Sequence, residues 1–148
     1  MTDIINSIPK FVILVFSVIF HEVMHGYTAL WKGDTTARDS GRLTFNPIPH
    51  VDIFGTIIFP LLLLIMQTGF LFGWAKPVPI NPARLPDPKK DMALIGASGP
   101  ASNLFLAVVI GLVLRFMPSG SPVLIQTLFF GVLINLVLAF FNLIPIPP

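Results

Sequence analysis

The chain has 148 residues, 54% of them hydrophobic and only 11% charged, with a mean hydropathy of +0.85. A water-soluble domain is about one-quarter charged, so this composition excludes an ordinary soluble globule and points to a protein whose solvent is lipid. The net charge of +2 reflects few acids rather than many bases, the nine Lys and Arg are scattered, and there are no cysteines; a nucleic-acid face, disulfides and thiolate metal sites are therefore excluded.

A helix needs roughly 20 apolar residues to cross a hydrocarbon core about 30 Å thick. Four stretches reach that length: Phe11 to Trp31, Ile53 to Trp74, Met92 to Met117 and Val123 to Ile146. The first is too long and too weakly basic at its start for a cleaved signal peptide, and is expected to remain in the mature protein. The connector from Lys32 to Asp52 carries the turn signals Gly33-Asp34, Ser40-Gly41 and Asn46-Pro47 around a short Arg42-Leu43-Thr44-Phe45 run that reads as a strand. From Ala75 to Asp91 the chain is punctuated by Pro77, Pro79, Pro82, Pro86 and Pro88, which forbids helix and suits an extended segment or an edge strand. Pro118 to Pro122 is a tight turn. The expected architecture is a single all-α membrane domain over 1–148, with short strand-like pieces in the connectors.

Positive charge bears on topology. If all four stretches cross, one side holds Lys10, Lys76, Arg84, Lys89 and Lys90 and the other Lys32, Arg38, Arg42 and Arg115, which orients nothing. If Ile53 to Trp74 dips in and returns, Lys32, Arg38, Arg42, Lys76, Arg84, Lys89 and Lys90 share one side against Lys10 and Arg115, a far better match to the positive-inside rule. Pro60, Gly69 and Gly73 offer places to break. A plain crossing helix with a proline kink is the competing reading.

The first stretch contains His21-Glu22-Val23-Met24-His25, and Glu22 is the sole glutamate of the chain. Residues four apart share a helix face, so both imidazoles can reach one Zn²⁺ at roughly 2.0–2.1 Å while the intervening carboxylate serves as general base. Zinc lowers the pKa of water toward about 7, making hydroxide available at neutral pH. Inserting a carboxylate at mid-helix costs on the order of 2.5–3.5 kcal/mol, which marks an intramembrane acid as functional.

With its glycine, the HEVMHG run resembles the motif of the intramembrane zinc metalloproteases of the site-2 protease family. The resemblance extends over nearly the whole chain: Gly41 to Pro47 followed by His50 and Asp52, Gly73 to Pro82, Gly99-Pro100-Ala101-Ser102-Asn103, and Phe141 to Pro148, which is similar to the start of the family's second signature. It implies His21 and His25 as zinc ligands, Glu22 as the catalytic acid–base and a transmembrane protein or peptide as substrate. It also implies a third ligand, the Asp of the second signature; the chain ends at Pro148 before one, so the expectation is a core cut just short of that ligand. Because both ligand sets lie toward the C-terminal halves of their helices, first and last spans should run in the same direction. That favours the re-entrant reading, with three crossings, the N-terminus outside and both long connectors cytoplasmic.

His50 and Asp52 are weaker candidates for the metal; a hydrogen-bonding and capping role is preferred, with Asp52 placed as an N-cap, or a role supporting the ligands. Asn103 and Asn142 are polar within spans and are expected to bond a neighbouring helix or to hold substrate backbone. Gly96 to Ser102 is a run of small residues suited to close helix approach. Lys76 to Pro82 suits strand addition to a substrate peptide, and Trp31 and Trp74 suit interfacial anchoring. Two rivals remain. A metal-ion transporter needs a ladder of ligands, yet beyond His21, Glu22 and His25 the spans hold no His or Glu; an inactive membrane adaptor is opposed by the intact motif and favoured by the early end.

Overall fold

The computed structural model describes residues 2–66 and 74–144. Among these the chain is helical without strands, and three helices are long and apolar enough to cross a membrane. The first, α1 (Thr2–Trp31), has 30 residues, about 45 Å at 1.5 Å per residue. It stops in a Schellman closure. Gly33 takes φ 103°, its N–H reaches Leu30 O at 3.0 Å, and the Asp34 N–H reaches Ala29 O at 2.9 Å. The short α2 (Thr36–Asp39) ends the same way, with Gly41 N–H on Arg38 O and Arg42 N–H on Ala37 O. Two such closures in succession fold the first connector back onto the end of α1.

The second apolar stretch does not carry the chain across. Asp52 caps it by accepting from Gly55 N at 2.7 Å, and Ile53–Ile58 winds as a π-helix before α3 (Phe59–Ile65). The far end comes back to the start: Trp74 N–H donates to Gly55 O at 3.1 Å, Thr56 Oγ1 to Trp74 O at 2.9 Å, and Lys76 N–H to His50 O at 2.9 Å. Departure and return are thus laced together by hydrogen bonds, so the stretch begins and ends at one place. Pro60 falls two residues past the change from π- to α-helix, while Gly69 and Gly73 lie outside the described residues.

The remaining helices, α4 (Pro88–Phe116) and α5 (Pro122–Leu143), each start with proline at the first position, where no N–H is needed. Asp87 caps α4 by accepting from Lys90 N at 3.2 Å, and Ser121 caps α5 by accepting from Leu124 N at 3.2 Å. Contacts fix their directions. Ser17 meets Asn135, 118 residues on, and Ile13 meets Gly131 at the same offset, so α1 and α5 are parallel. His21 meets Asn103 whereas His25 meets Ile95, so α4 runs antiparallel to α1. Since α1 ends and α4 begins at the same end of the bundle, everything between them starts and finishes on one side.

The interior is built from small and polar side chains. In α4 the buried set includes Asp91, Ile95, Gly99, Asn103 and Ala107, and in α5 it is Thr127, Gly131, Asn135 and Ala139, each series stepping by four along one helix face. Large apolar side chains such as Phe105, Phe129 and Phe140 face outward. With lipid as solvent, apolar contact does not favour the inside, so close approach and interhelical hydrogen bonds decide the packing.

Three expectations change. The Arg42–Phe45 run is bent, not a strand, because its groups turn inward: Thr44 O accepts from His50 Nε2 at 2.9 Å, and Arg42 reaches over to Pro49 O. Lys76 to Asn81 is extended but belongs to no sheet, and Pro82–Arg84 winds as a short 3-10 helix where no helix was expected. Trp74 packs on Phe59, ring centroids 5.5 Å apart, and so closes the hairpin rather than acting only as an interfacial anchor.

Asp34 ties the two connectors together. Its carboxylate is inaccessible to solvent and accepts from Thr36 N at 3.0 Å, Thr36 Oγ1 at 2.5 Å and Asn81 N at 2.6 Å. Burial pushes its pKa up, but the Thr36 and Asn81 hydrogen bonds and the charge of Arg84 outweigh this and hold it below the ordinary carboxylate range. A depressed carboxyl stabilises the fold above its unfolded pKa and ceases to do so as pH falls through the folded value. Asp34→Ala should therefore cost about 1–3 kcal/mol at neutral pH and free the second connector, read as a lower melting temperature in detergent and faster proteolysis within 75–87. The difference from wild type should shrink in acid.

Candidate metal centre

His21, Glu22 and His25 lie on one side of α1, and their candidate ligand atoms all fall within 4.8 Å of one another. His21 is buried and the other two are half-buried. The imidazole rings meet edge to face, centroids 4.6 Å apart, as four-residue spacing on a helix dictates. Each ring is held at Nδ1: His21 by Asn103 Oδ1 at 2.5 Å and His25 by Ile95 O at 2.6 Å, both from α4. A carbonyl can only accept, so Nδ1 of His25 carries the hydrogen and Nε2 keeps its lone pair. Holding the outer nitrogen in this way is what orients a metal-binding histidine.

The space in front of the two Nε2 atoms exists because residue 99 has no side chain. A Cβ on Gly99 would stand 2.5 Å from His21 Nε2, His25 Nε2 and His25 Cε1. The donor set and this cradle fit a zinc ion, and His21 and His25 would hold it. Next to Gly99, Ser98 Oγ donates to Met24 O at 3.2 Å and to Ile95 O at 2.7 Å, so the small-residue run brings α4 against the motif as its composition implies.

Glu22 is tied to the second connector, where its Oε2 accepts from Val78 N at 3.0 Å. Gly26, one turn further, lets both connectors lie on the helix: a Cβ there would stand 2.5 Å from Leu43 Cδ2 and 3.0 Å from Val78 Cγ1. Phe45 continues along α1, stacking with Phe20 at 6.0 Å and Phe16 at 6.3 Å. In the Lys76–Pro82 segment the backbone donors of Lys76, Val78 and Asn81 are turned inward. The N–H of Lys76 goes to His50, that of Val78 to Glu22 and that of Asn81 to Asp34, and Pro77 and Pro79 have none. What those residues can offer an added strand is carbonyls.

The other candidates are dispersed. His50 is buried with Nε2 on Thr44 O and Nδ1 unpartnered, and it stands apart from the His21–Glu22–His25 cluster; Asp52 is a cap. Asn103 is fully buried and reaches α1 and α5. Asn142 differs from expectation: although it shares the helix face of Asn135, seven residues on, it lies in the last turn of α5, is exposed, and donates to Leu138 O of its own helix at 2.8 Å. Pro145 to Pro148, where the second signature begins, lie outside the described residues.

Comparison with known proteins bears on this centre. The chain is 40% identical, over 97% of its length and 66% of the relative's, to the Bacillus subtilis (strain 168) protein named "Putative zinc metalloprotease YwhC". The chain belongs to the site-2 protease-like family. A second relative, named "Putative zinc metalloprotease Rip2", from Mycolicibacterium smegmatis, is 28% identical over 90% of this chain and 50% of its own length. No family profile matches the chain, and no solved structure does. The chain thus spans between half and two thirds of the curated relatives it matches.

The family motif accounts for His21, Glu22 and His25 but not for what holds them. Ser17, Asn135 and the Val78 amide went unnoticed at the level of sequence. Asn135 carried a signal, a lone amide in mid-span on a Thr127-Gly131-Ala139 stripe. If the metal sits in the Gly99 cradle, Gly99→Ala should strip zinc from the purified protein, measured by elemental analysis, while its helical circular dichroism is retained. Wild-type zinc content in that variant would place the metal elsewhere.

Proposed function

We propose that this chain is the core of a zinc-dependent endopeptidase that hydrolyses peptide bonds in or near the transmembrane segments of membrane-protein substrates. The observation that carries the reading is the meeting of two Nε2 atoms and one carboxylate in a membrane-length helix, beside a cradle that a single methyl group would fill. When bound, zinc supplies Lewis-acid polarisation of a carbonyl and of water. Glu22 takes the proton from the attacking water and passes it to the leaving amine, and Val78 N–H fixes one carboxylate oxygen so that the other is aimed at the work. His21 and His25 hold the ion, and the family resemblance adds an Asp as third ligand.

The relatives' names support a metalloprotease, and the three apolar helices support a multi-pass membrane protein. Transport is disfavoured because, among the described residues, no second group of three such side chains comes together to continue a path. In the proposed orientation the N-terminus is outside and residues 32–87 are cytoplasmic, which the clustering of Lys and Arg supports.

Two experiments test this. In the full-length membrane protein, Glu22→Gln should retain zinc and lower cleavage of a transmembrane substrate by at least about 10²-fold, the scale of a lost general base. Persisting cleavage would sink the mechanism. The chain has no native cysteine, so single cysteines at Arg38 and at Lys89 should both be labelled by an impermeant maleimide from the cytoplasmic side; opposite sidedness would refute the hairpin topology.

A further inference from the structure

Asn135 lies one helix away from the metal centre, and its role rests on the reading of His21 as a ligand. His25 needs no help in choosing which ring nitrogen faces the cradle, because its partner is a backbone carbonyl. The partner of His21 is a side-chain amide, and either end of an amide can face an imidazole nitrogen. The choice must be made elsewhere. Asn135 Nδ2 lies 2.8 Å from Gly131 O and 2.8 Å from Ser17 Oγ. Gly131 O can only accept, so the amide nitrogen must be on that side and the Asn135 oxygen must face Asn103. It stands 2.7 Å from Asn103 Nδ2, which also lies 3.3 Å from Ser17 O, a second pure acceptor. Asn103 is therefore left with its oxygen toward His21, 2.5 Å from Nδ1.

We propose that Asn135 is a positioning residue that, through Asn103, fixes His21 in the form with hydrogen on Nδ1 and the Nε2 lone pair facing the metal position. Turning the Asn103 amide over would set its oxygen against Asn135 Oδ1 and Ser17 O with no hydrogen between them. Asn103 and Asn135 are both fully buried, so no water is at hand to mend such contacts. The two carbonyls, Gly131 O from α5 and Ser17 O from α1, thereby dictate the direction of the chain of bonds ending at the ligand.

The ring form is readable without metal or substrate. In metal-free protein carrying ¹⁵N-histidine, with the His21 signal assigned by its loss in His21→Phe, the neutral ring should show hydrogen on Nδ1. Asn135→Leu should populate the Nε2–H form and weaken zinc binding on the order of 10- to 100-fold. Asn135→Asp, protonated in that interior, can still donate to Gly131 O and accept from Asn103, and should restore both the ring form and the affinity. A wild-type His21 with hydrogen on Nε2 overturns the proposal, as does a Leu variant with wild-type ring form and zinc affinity. If Asn135→Leu does not fold, the wild-type assignment and the Asp variant decide. Failure here leaves Glu22-dependent cleavage untouched, and failure of the protease reading leaves the ring assignment untouched.

Discussion

The hydrogen bonds at two imidazole nitrogens, His21 Nδ1 to Asn103 and His25 Nδ1 to Ile95, fix where α4 can lie. Both partners come from that helix, two turns apart, so the axial position and rotation of α4 against α1 follow from them. At that rotation residue 99 faces the rings and must be glycine, residue 98 must be small, and Asn103 must be buried. Buried polar atoms in a lipid-spanning bundle have only the protein to bond to, so the unused half of Asn103 calls in turn for Asn135 and thereby places α5. Three helices are arranged by the needs of two histidines.

That dependence explains what could be read directly. The helical spacing of HEVMHG, three of the four apolar stretches and the small-residue run each rest on local spacing or composition, and all of these lie on long helices. That the second apolar stretch returns to its own start could be expected because charge is so sparse that moving a few lysines and arginines from one side to the other changes the balance decisively. The parallel course of α1 and α5 was implied by the family resemblance, which sets ligands toward the C-terminal halves of both helices.

What stayed hidden depends on partners distant in sequence. Asn103 and Asn142 look alike as lone amides in apolar helices, yet one is the hub of the interior and the other caps a carbonyl of its own helix at the surface. The difference is position along the helix: Asn103 lies in mid-span of α4 between two other helices, whereas Asn142 stands in the last turn of α5, and which level of the bundle is enclosed is known only once the helices are packed. Arg42 to Phe45 has the composition of a strand, but among the described residues no strand lies beside it to complete a ladder, and His50 takes the Thr44 carbonyl instead. The amide of Val78 is invisible to any motif because it is backbone, placed by prolines on either side that deny the segment other local bonds.

The connectors therefore do more than join spans. α4 sets the two rings, while the connectors, whose Val78 amide holds Glu22, lie on α1 at Gly26, Phe20 and Phe16. Asp34 clamps the two connectors to each other, and the Trp74–Gly55 and Lys76–His50 bonds carry the hairpin's return into the segment that holds Glu22. Ligand orientation and acid orientation are thus assigned to different walls, one rigid and helical, one built from extended chain. Four residues of backbone, from Trp74 to Val78, link the hairpin's return to the amide that holds the Glu22 carboxylate, whereas both imidazoles are held from α4.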